Sequence, residues 1–166
     1  GGAAGGASES KMPDMQAGWE QMCSNVMAGL SGLNMVYEAA GMHSSLLGFC
    51  HESLILSNDL IGQAMRCVRG IEVNDETLAL DQIASVCMGG PGHYLGTEQT
   101  LGRMEIDHVY PAFGDRTSPK EWSELGKPVL VEKAKARKEE ILETRSTARF
   151  DVALDRELRS RFKIHL

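Results

Sequence analysis

GGAAGGASESKMPDMQAG, residues 1–18, is a run of small residues that closes on Pro13 and Asp14 and then opens into an apolar periodic segment. Gly1, Gly2, Gly5 and Gly6, with Ala3, Ala4, Ala7 and Ser8, carry nothing larger than a methyl or hydroxyl, so backbone approaches whatever lies opposite, as a ligand floor requires. Asp14 stands where a helix takes its N-cap acceptor. Met15, Trp19, Met22, Val26 and Leu30 then recur at helical spacing and predict one apolar stripe that packs against a neighbour. A strand end, a small-residue loop and a helix in succession form one unit of an α/β protein, whose ligands collect at the carboxyl ends of strands.

The same pattern is expected twice more. Gly32 stops the first helix, and LNMVYEAAG, residues 33–41, predicts a buried strand and its exit loop. Tyr37 and Glu38 fall near the carboxyl end of that strand, and Met42, His43, Ser44 and Ser45 continue into the loop. For Glu38 and His43, a plain helix-capping or surface role stands equally beside a role in chemistry. Residues 53–59, SLILSND, read as another strand, with Asn58 or Asp59 capping a helix that starts at Leu60 and ends at Gly70. An N-cap in that position also borders any site at the strand end.

From Ile71 onward the strand-like runs stop and capped helices take over. Asn74 or Asp75 starts a helix carrying Leu78, Ile83 and Val86, and residues 89–100, GGPGHYLGTEQT, form a glycine-rich turn. That turn lacks the G-x-x-x-x-G-K-[ST] pattern and follows a helix, which argues against phosphate binding. Ser118, Pro119 and Glu121 make a capping box ahead of Trp122, in a short helix that stops at Gly126. Lys133, Lys135, Arg137 and Lys138, interleaved with Glu132, Glu139, Glu140 and Glu143, mark a solvated helix that buries Leu130, Ala134, Ile141 and Leu142. Asp151 opens a last helix with Leu154, Leu158 and Phe162 on one face and a basic end.

Composition narrows the function classes. A net charge of −6 carries no nucleic-acid footprint, and the apolar runs fall far short of the ~20 residues of a membrane helix. Cys23, Cys50, Cys67 and Cys87 form no C-x-x-C pair, and Cys23 and Cys67 lie in apolar helical surroundings, which predicts buried, reduced thiols and a cytoplasmic protein. His43, Cys50, His51, His93 and His108 never fall at the spacings of familiar zinc sites, so no metal is expected. No nucleophile elbow is present, which argues against a hydrolase. The chain starts at Gly1 inside a strand-and-loop pattern, which reads as the C-terminal part of something longer.

GGASESKMPDMQAG (5–18), GLNMVYEAAGMHSS (32–45), GIEVNDETLALDQI (70–83), GGPGHYLG (89–96) and GDRTSPKEW (114–122), in this order, resemble the trimethylamine methyltransferase family, the MttB-like corrinoid methyltransferases. The resemblance runs the whole length and covers the C-terminal portion of such a protein. It implies the C-terminal part of a (β/α)8 TIM barrel followed by a helical extension. Residues 1–70 would be the last βα units and residues 71–166 the extension, with the N-terminal half of the barrel absent.

The resemblance also implies a function: transfer of a methyl group from a methylated amine to the Co(I) of a corrinoid (cobalamin), free or carried by a partner protein. One branch of the family uses pyrrolysine and takes trimethylamine; the other lacks it and takes quaternary amines such as glycine betaine. Glycines fill the loop where the unusual residue is sought, with Gly5 or Gly6 at the matching position, so the chain resembles the second branch. Tyr37 and Glu38 are the candidates to hold the cation, His43 a substrate carboxylate, and Asn58 to complete the wall; no residue is assigned as catalytic. Many relatives carry histidines after the glycine turn where this chain has Thr97, Glu98 and Gln99, so no histidine role carries over there. Competing expectations are a quaternary-amine binding protein without methyl transfer, and a fragment inactive without its missing barrel half. The expected partners are a small amine, a corrinoid protein, the missing half and further copies in a homo-oligomer.

Overall fold

The computed structural model describes residues 1–144 and 151–163. It is mixed α/β and mostly helical. Strand β1 (Gly2–Ala4) leads through a small-residue loop to helix α1 (Met15–Leu30) and back to strand β2 (Met35–Tyr37), which pairs parallel with β1 in the register Gly2↔Met35, Ala3↔Val36, Ala4↔Tyr37. A hairpin follows, with β3 (Met42–His43) antiparallel to β4 (Gly48–Phe49), and then helix α2 (His51–Arg69). The remaining elements are helices: α3 (Asp75–Leu78), α4 (Leu80–Cys87), α5 (Glu98–Asp107), α6 (Pro119–Glu124), α7 (Leu130–Thr144) and α8 (Val152–Arg161).

Local chemistry explains most helix starts. Asp14 keeps an extended backbone and its Oδ1 accepts the Ala17 N–H at 2.9 Å; Asn74, Thr97, Ser118 and Asp151 cap α3, α5, α6 and α8 in the same way. At Ser118 the box is reciprocal, because Glu121 also accepts the Ser118 N–H at 2.8 Å.

Packing is built from small side chains. α1 turns Ala17, Gln21, Asn25 and Ala28 inward, and α2 answers with Ser53, Ser57 and Ala64. Gly29 lets the helices close, since a Cβ there would run into Val68 of α2. α7 lies on α2 and buries Ala134 completely. Small residues allow backbones to approach closely, so the interface gains dispersion contacts where large apolar side chains would hold the helices apart.

The strands of the described residues form one parallel pair and one hairpin and no closed barrel, which leaves the mixed α/β class of the expected barrel part. Several other expectations are corrected. No strand covers 53–59: α2 is continuous from His51, its N-cap is Cys50, and Asn58 and Asp59 lie mid-helix. A three-residue apolar run does not separate strand from helix, and here the small-residue spacing Ser53, Ser57, Ala64 sets the helical face. β2 is only half covered, with Met35 and Tyr37 exposed. The apolar stripe of α1 does not face the core, and Met15 is 80% and Trp19 57% exposed. The helix expected from Asn74 breaks at Ala79, whose φ of 53° divides α3 from α4. Cys23 and Cys67 are exposed rather than buried, and of the expected buried residues of α7 only Ala134 is so; Leu130 and Leu142 are exposed.

Candidate functional site

The two parallel strands end at Ala4 and Tyr37, so the segments 5–14 and 38–50 form the rim where an α/β unit places its ligands. The inner face of α1 holds that rim. Gln21 Nε2 donates to the Met42 carbonyl (3.2 Å), Asn25 Nδ2 to the Ala39 carbonyl (3.0 Å), and Ser24 Oγ accepts the Gly6 N–H (2.8 Å). Glu20 captures the first segment through the Ser8 hydroxyl at 2.6 Å and the Glu9 N–H at 2.9 Å. These donors, the Ser8 hydroxyl first and then the Gln16 amide, hold the Glu20 carboxyl below its ordinary value. The two segments are also tied to each other: Ser8 N–H donates to the Met42 carbonyl (3.1 Å) and Ser44 N–H to the Ser10 carbonyl (3.2 Å).

Gly5 and Gly6 are buried, and what lies opposite them is the protein itself. A Cβ on Gly5 would sit 3.0 Å from Val36 Cγ1, and one on Gly6, at φ 77°, would strike the Ala39 carbonyl. Tyr37 is half-exposed on the sheet face opposite α1, and its hydroxyl folds back over Gly2, where a Cβ would lie 2.9 Å from it. Glu38 is exposed and turns the chain out of β2 in the left-handed region, φ 54°.

His43 is 3% exposed and both its ring nitrogens are engaged. Nδ1 lies 3.1 Å from the Ser10 carbonyl, which only accepts, so Nδ1 carries a proton; Nε2 lies 2.6 Å from Ser53 Oγ. The ring therefore latches the 5–14 segment, the hairpin and α2 together, with no nitrogen left for a substrate carboxylate. Asn58 is exposed on α2. Tyr37 and Glu38 thus adjoin at the rim, whereas His43 lies beneath it and Asn58 on a helix surface.

Sequence reasoning missed three anchors around α2. The Asp59 carboxylate accepts three successive backbone N–H groups, from Ala112 (2.9 Å), Phe113 (2.7 Å) and Gly114 (3.0 Å). Three backbone donors on one oxyanion make a nest that fixes the segment before α6. Glu52 pairs with Lys138 of α7 at 2.8 Å, and that ammonium, with the Cys50 thiol, holds its carboxyl down to about 2. Asp107 gathers Arg66, Arg69 and Arg103, with Arg103 Nε at 2.8 Å. None has a signal in sequence, because every anchor but the Arg103 pair joins residues 38 or more apart. A cleft of about 420 Å³ runs between α1, α2 and α7, lined among others by Met15, Gln21, Leu56, Ser57, Leu60 and Leu130. Neither Tyr37 nor Glu38 borders it.

Among the described residues, no group of three or more His, Cys, Asp and Glu side chains is placed to hold a metal ion, and no helix is long and apolar enough to cross a membrane.

Comparison with known proteins identifies the lineage. The family model described as trimethylamine methyltransferase (MTTB) matches residues 2–163. A trimethylamine methyltransferase of Methanosarcina barkeri strain Fusaro is 30% identical over 158 residues, which are 95% of this chain and 31% of that protein. A second trimethylamine methyltransferase, from Methanosarcina mazei, is 31% identical over the same shares. A glycine betaine methyltransferase of Desulfitobacterium hafniense strain Y51 is 28% identical over 156 residues, 94% of this chain and 32% of that one. The chain thus spans about a third of the length of these relatives, and it belongs to the trimethylamine methyltransferase family.

Proposed function

We propose that the chain is the C-terminal third of a methyltransferase that moves a methyl group from a quaternary amine of the glycine betaine type to the Co(I) of a corrinoid. Residues 1–70 would supply the last βα units of a (β/α)8 barrel, and residues 71–166 its helical extension. The observation that carries the reading is the match over nearly the whole chain to relatives named for methyl transfer from trimethylamine and from glycine betaine.

The chemistry asks little of the protein beyond placement. A quaternary nitrogen already bears its charge; when a strong nucleophile takes the methyl, the C–N electron pair stays on nitrogen and a neutral amine leaves without a proton donor. Rate then comes from aligning donor and acceptor. Tyr37 offers a half-exposed ring on the uncovered sheet face, next to the exposed carboxylate of Glu38, and a ring face with an adjacent anion suits an alkylammonium ion. His43 serves as the latch beneath this rim. The close packing around Gly5 and Gly6 leaves neither position space for a bulky side chain, in keeping with the branch that lacks pyrrolysine.

The test is loss of Co(I) absorbance in free cob(I)alamin on adding glycine betaine to the protein completed by the barrel segments this chain lacks. Amine-dependent loss is expected, and Tyr37→Ala is expected to raise KM for betaine roughly 5- to 30-fold, the range of one desolvated cation–π contact. Tight betaine binding with no loss of Co(I) would make the protein a binding module instead. Unchanged KM in Tyr37→Ala would remove Tyr37 from the site.

A further inference from the structure

Glu38 turns the chain out of β2 with φ 54°, in the left-handed region, where contact between a Cβ and the backbone disfavours any residue but glycine. Such a conformation persists only where the surroundings impose it. Two carbonyls beside Glu38 do so. On the strand side, the Tyr37 carbonyl accepts the Gly5 N–H at 2.9 Å and carries the parallel pairing one step past Ala4. On the loop side, the Ala39 carbonyl accepts Asn25 Nδ2 at 3.0 Å. Gly6 also packs against that carbonyl, so closely that a Cβ on it would strike it. Glu38 is thus the link between two fixed carbonyls.

Asn25 is the part of this clamp that a side chain supplies. It is buried on the inner face of α1, and its amide is shared, because Nδ2 also donates to the Gln21 carbonyl of its own helix at 2.9 Å. Asparagine is a poor residue for a helix interior, since its side chain competes for backbone partners. Ala17 and Ala28 show that a small apolar residue suits this face of α1, so the helix itself does not call for an amide there. What the amide adds is a bond across 14 residues of sequence to the residue that follows Glu38.

We propose that Asn25 is the positioning residue of the cation site at Tyr37 and Glu38: by fixing the Ala39 carbonyl it holds Glu38 in the left-handed turn that keeps its carboxylate on the Tyr37 side of the rim. The inference rests on the quaternary-amine reading above and deepens it. Without the bond, Glu38 relaxes toward strand backbone. Successive strand residues point to opposite faces, so its carboxylate then leaves the face that Tyr37 occupies. A full negative charge stands farther from the bound trimethylammonium group, while contacts that depend on shape alone are kept. The effect of Asn25 on binding is therefore specific to charge.

The experiment measures binding by calorimetry in the completed protein, with glycine betaine and with the tert-butylacetate anion, which has carbon in place of the charged nitrogen and the same shape. Asn25→Ala is expected to raise Kd for betaine roughly 3- to 10-fold, the scale of one partly exposed charge contact, and Kd for tert-butylacetate by less than roughly 2-fold. Retained binding of tert-butylacetate also reports an intact site. In a Glu38→Gln background, where no charge is left to position, Asn25→Ala is expected to leave betaine Kd within roughly 2-fold. Asn25→Asp keeps the side-chain volume but has no N–H to donate; it is expected to weaken betaine binding as Asn25→Ala does, although an added negative charge by itself favours a cation. Equal losses for betaine and tert-butylacetate, an undiminished effect in Glu38→Gln, or an unchanged betaine Kd in both Asn25 variants overturns the proposal. So does failure of the parent protein to bind betaine. Betaine binding with the expected pattern but no amine-dependent loss of Co(I) defeats the methyl-transfer reading alone.

Discussion

Removing the Asp59 carboxylate should release the segment 110–116 from α2. Its two oxygens accept N–H groups from Ala112, Phe113 and Gly114 at 2.9, 2.7 and 3.0 Å, and nothing else among the described residues pairs those donors. A hydrogen bond to a charged group contributes about 1.5–3 kcal/mol net. The group is only half-buried, and water replaces part of what is lost, so about 1 kcal/mol per bond is the appropriate scale here, or about 3 kcal/mol for Asp59→Ala. Asp59→Asn keeps the shape but turns an amide NH2 toward at least one donor; with a single acceptor oxygen left, its loss should reach about 2 kcal/mol. The segment lies on the surface, so opening is expected to be local before it is global. Native-state hydrogen exchange reads this directly: the amides of 112–114 should exchange roughly 30-fold faster in Asp59→Asn and 100-fold faster in Asp59→Ala, with much smaller changes in α1. Protection at 112–114 unchanged in both variants would refute the reasoning.

Two further outcomes follow from the packing and the electrostatics. The Glu52 carboxyl is held at about 2, below its ordinary 4.5, by Lys138. The unfolded chain therefore takes up the proton first, so the contribution of this pair is complete above pH 4.5 and fades as pH falls through about 2; Glu52→Gln should abolish that part of the acid dependence of α7 docking, followed by exchange of the α7 amides. Gly29→Ala would push its methyl into Val68, and overpacking of this kind costs about 1–3 kcal/mol; Val68→Ala in the same chain should recover a large part of it in urea unfolding, and simple additivity of the two variants would contradict the close approach of α1 and α2.

The sequence alone marked helix starts well and burial poorly, for one physical reason. Asp14, Ser118 with Glu121, and Asp151 act on N–H groups three residues away, so their effect is contained in the local chain and is legible there. Tyr37 and Glu38 were likewise legible, because a short apolar run followed by polar residues marks a strand end, and the structure places both at the carboxyl end of β2. The family, too, was written in ordered short stretches along the whole chain.

What only the tertiary structure decided are the partners of each face. α1 carries an apolar stripe that periodicity assigns to the core, yet Ala17, Gln21, Asn25 and Ala28 face inward, because the nearby exit loop offers the carbonyls of Ala39 and Met42 and α2 offers a close backbone. SLILSND became helix because the buried Ser53, Ser57 and Ala64 continue one helical face through it. His43 reads as a loop residue open to ligand, and becomes a buried latch once Ser10 and Ser53, distant in the chain, close on its two nitrogens. Capping depends on neighbours a few residues away, whereas burial depends on which distant surface arrives, and that information is held by the fold as a whole.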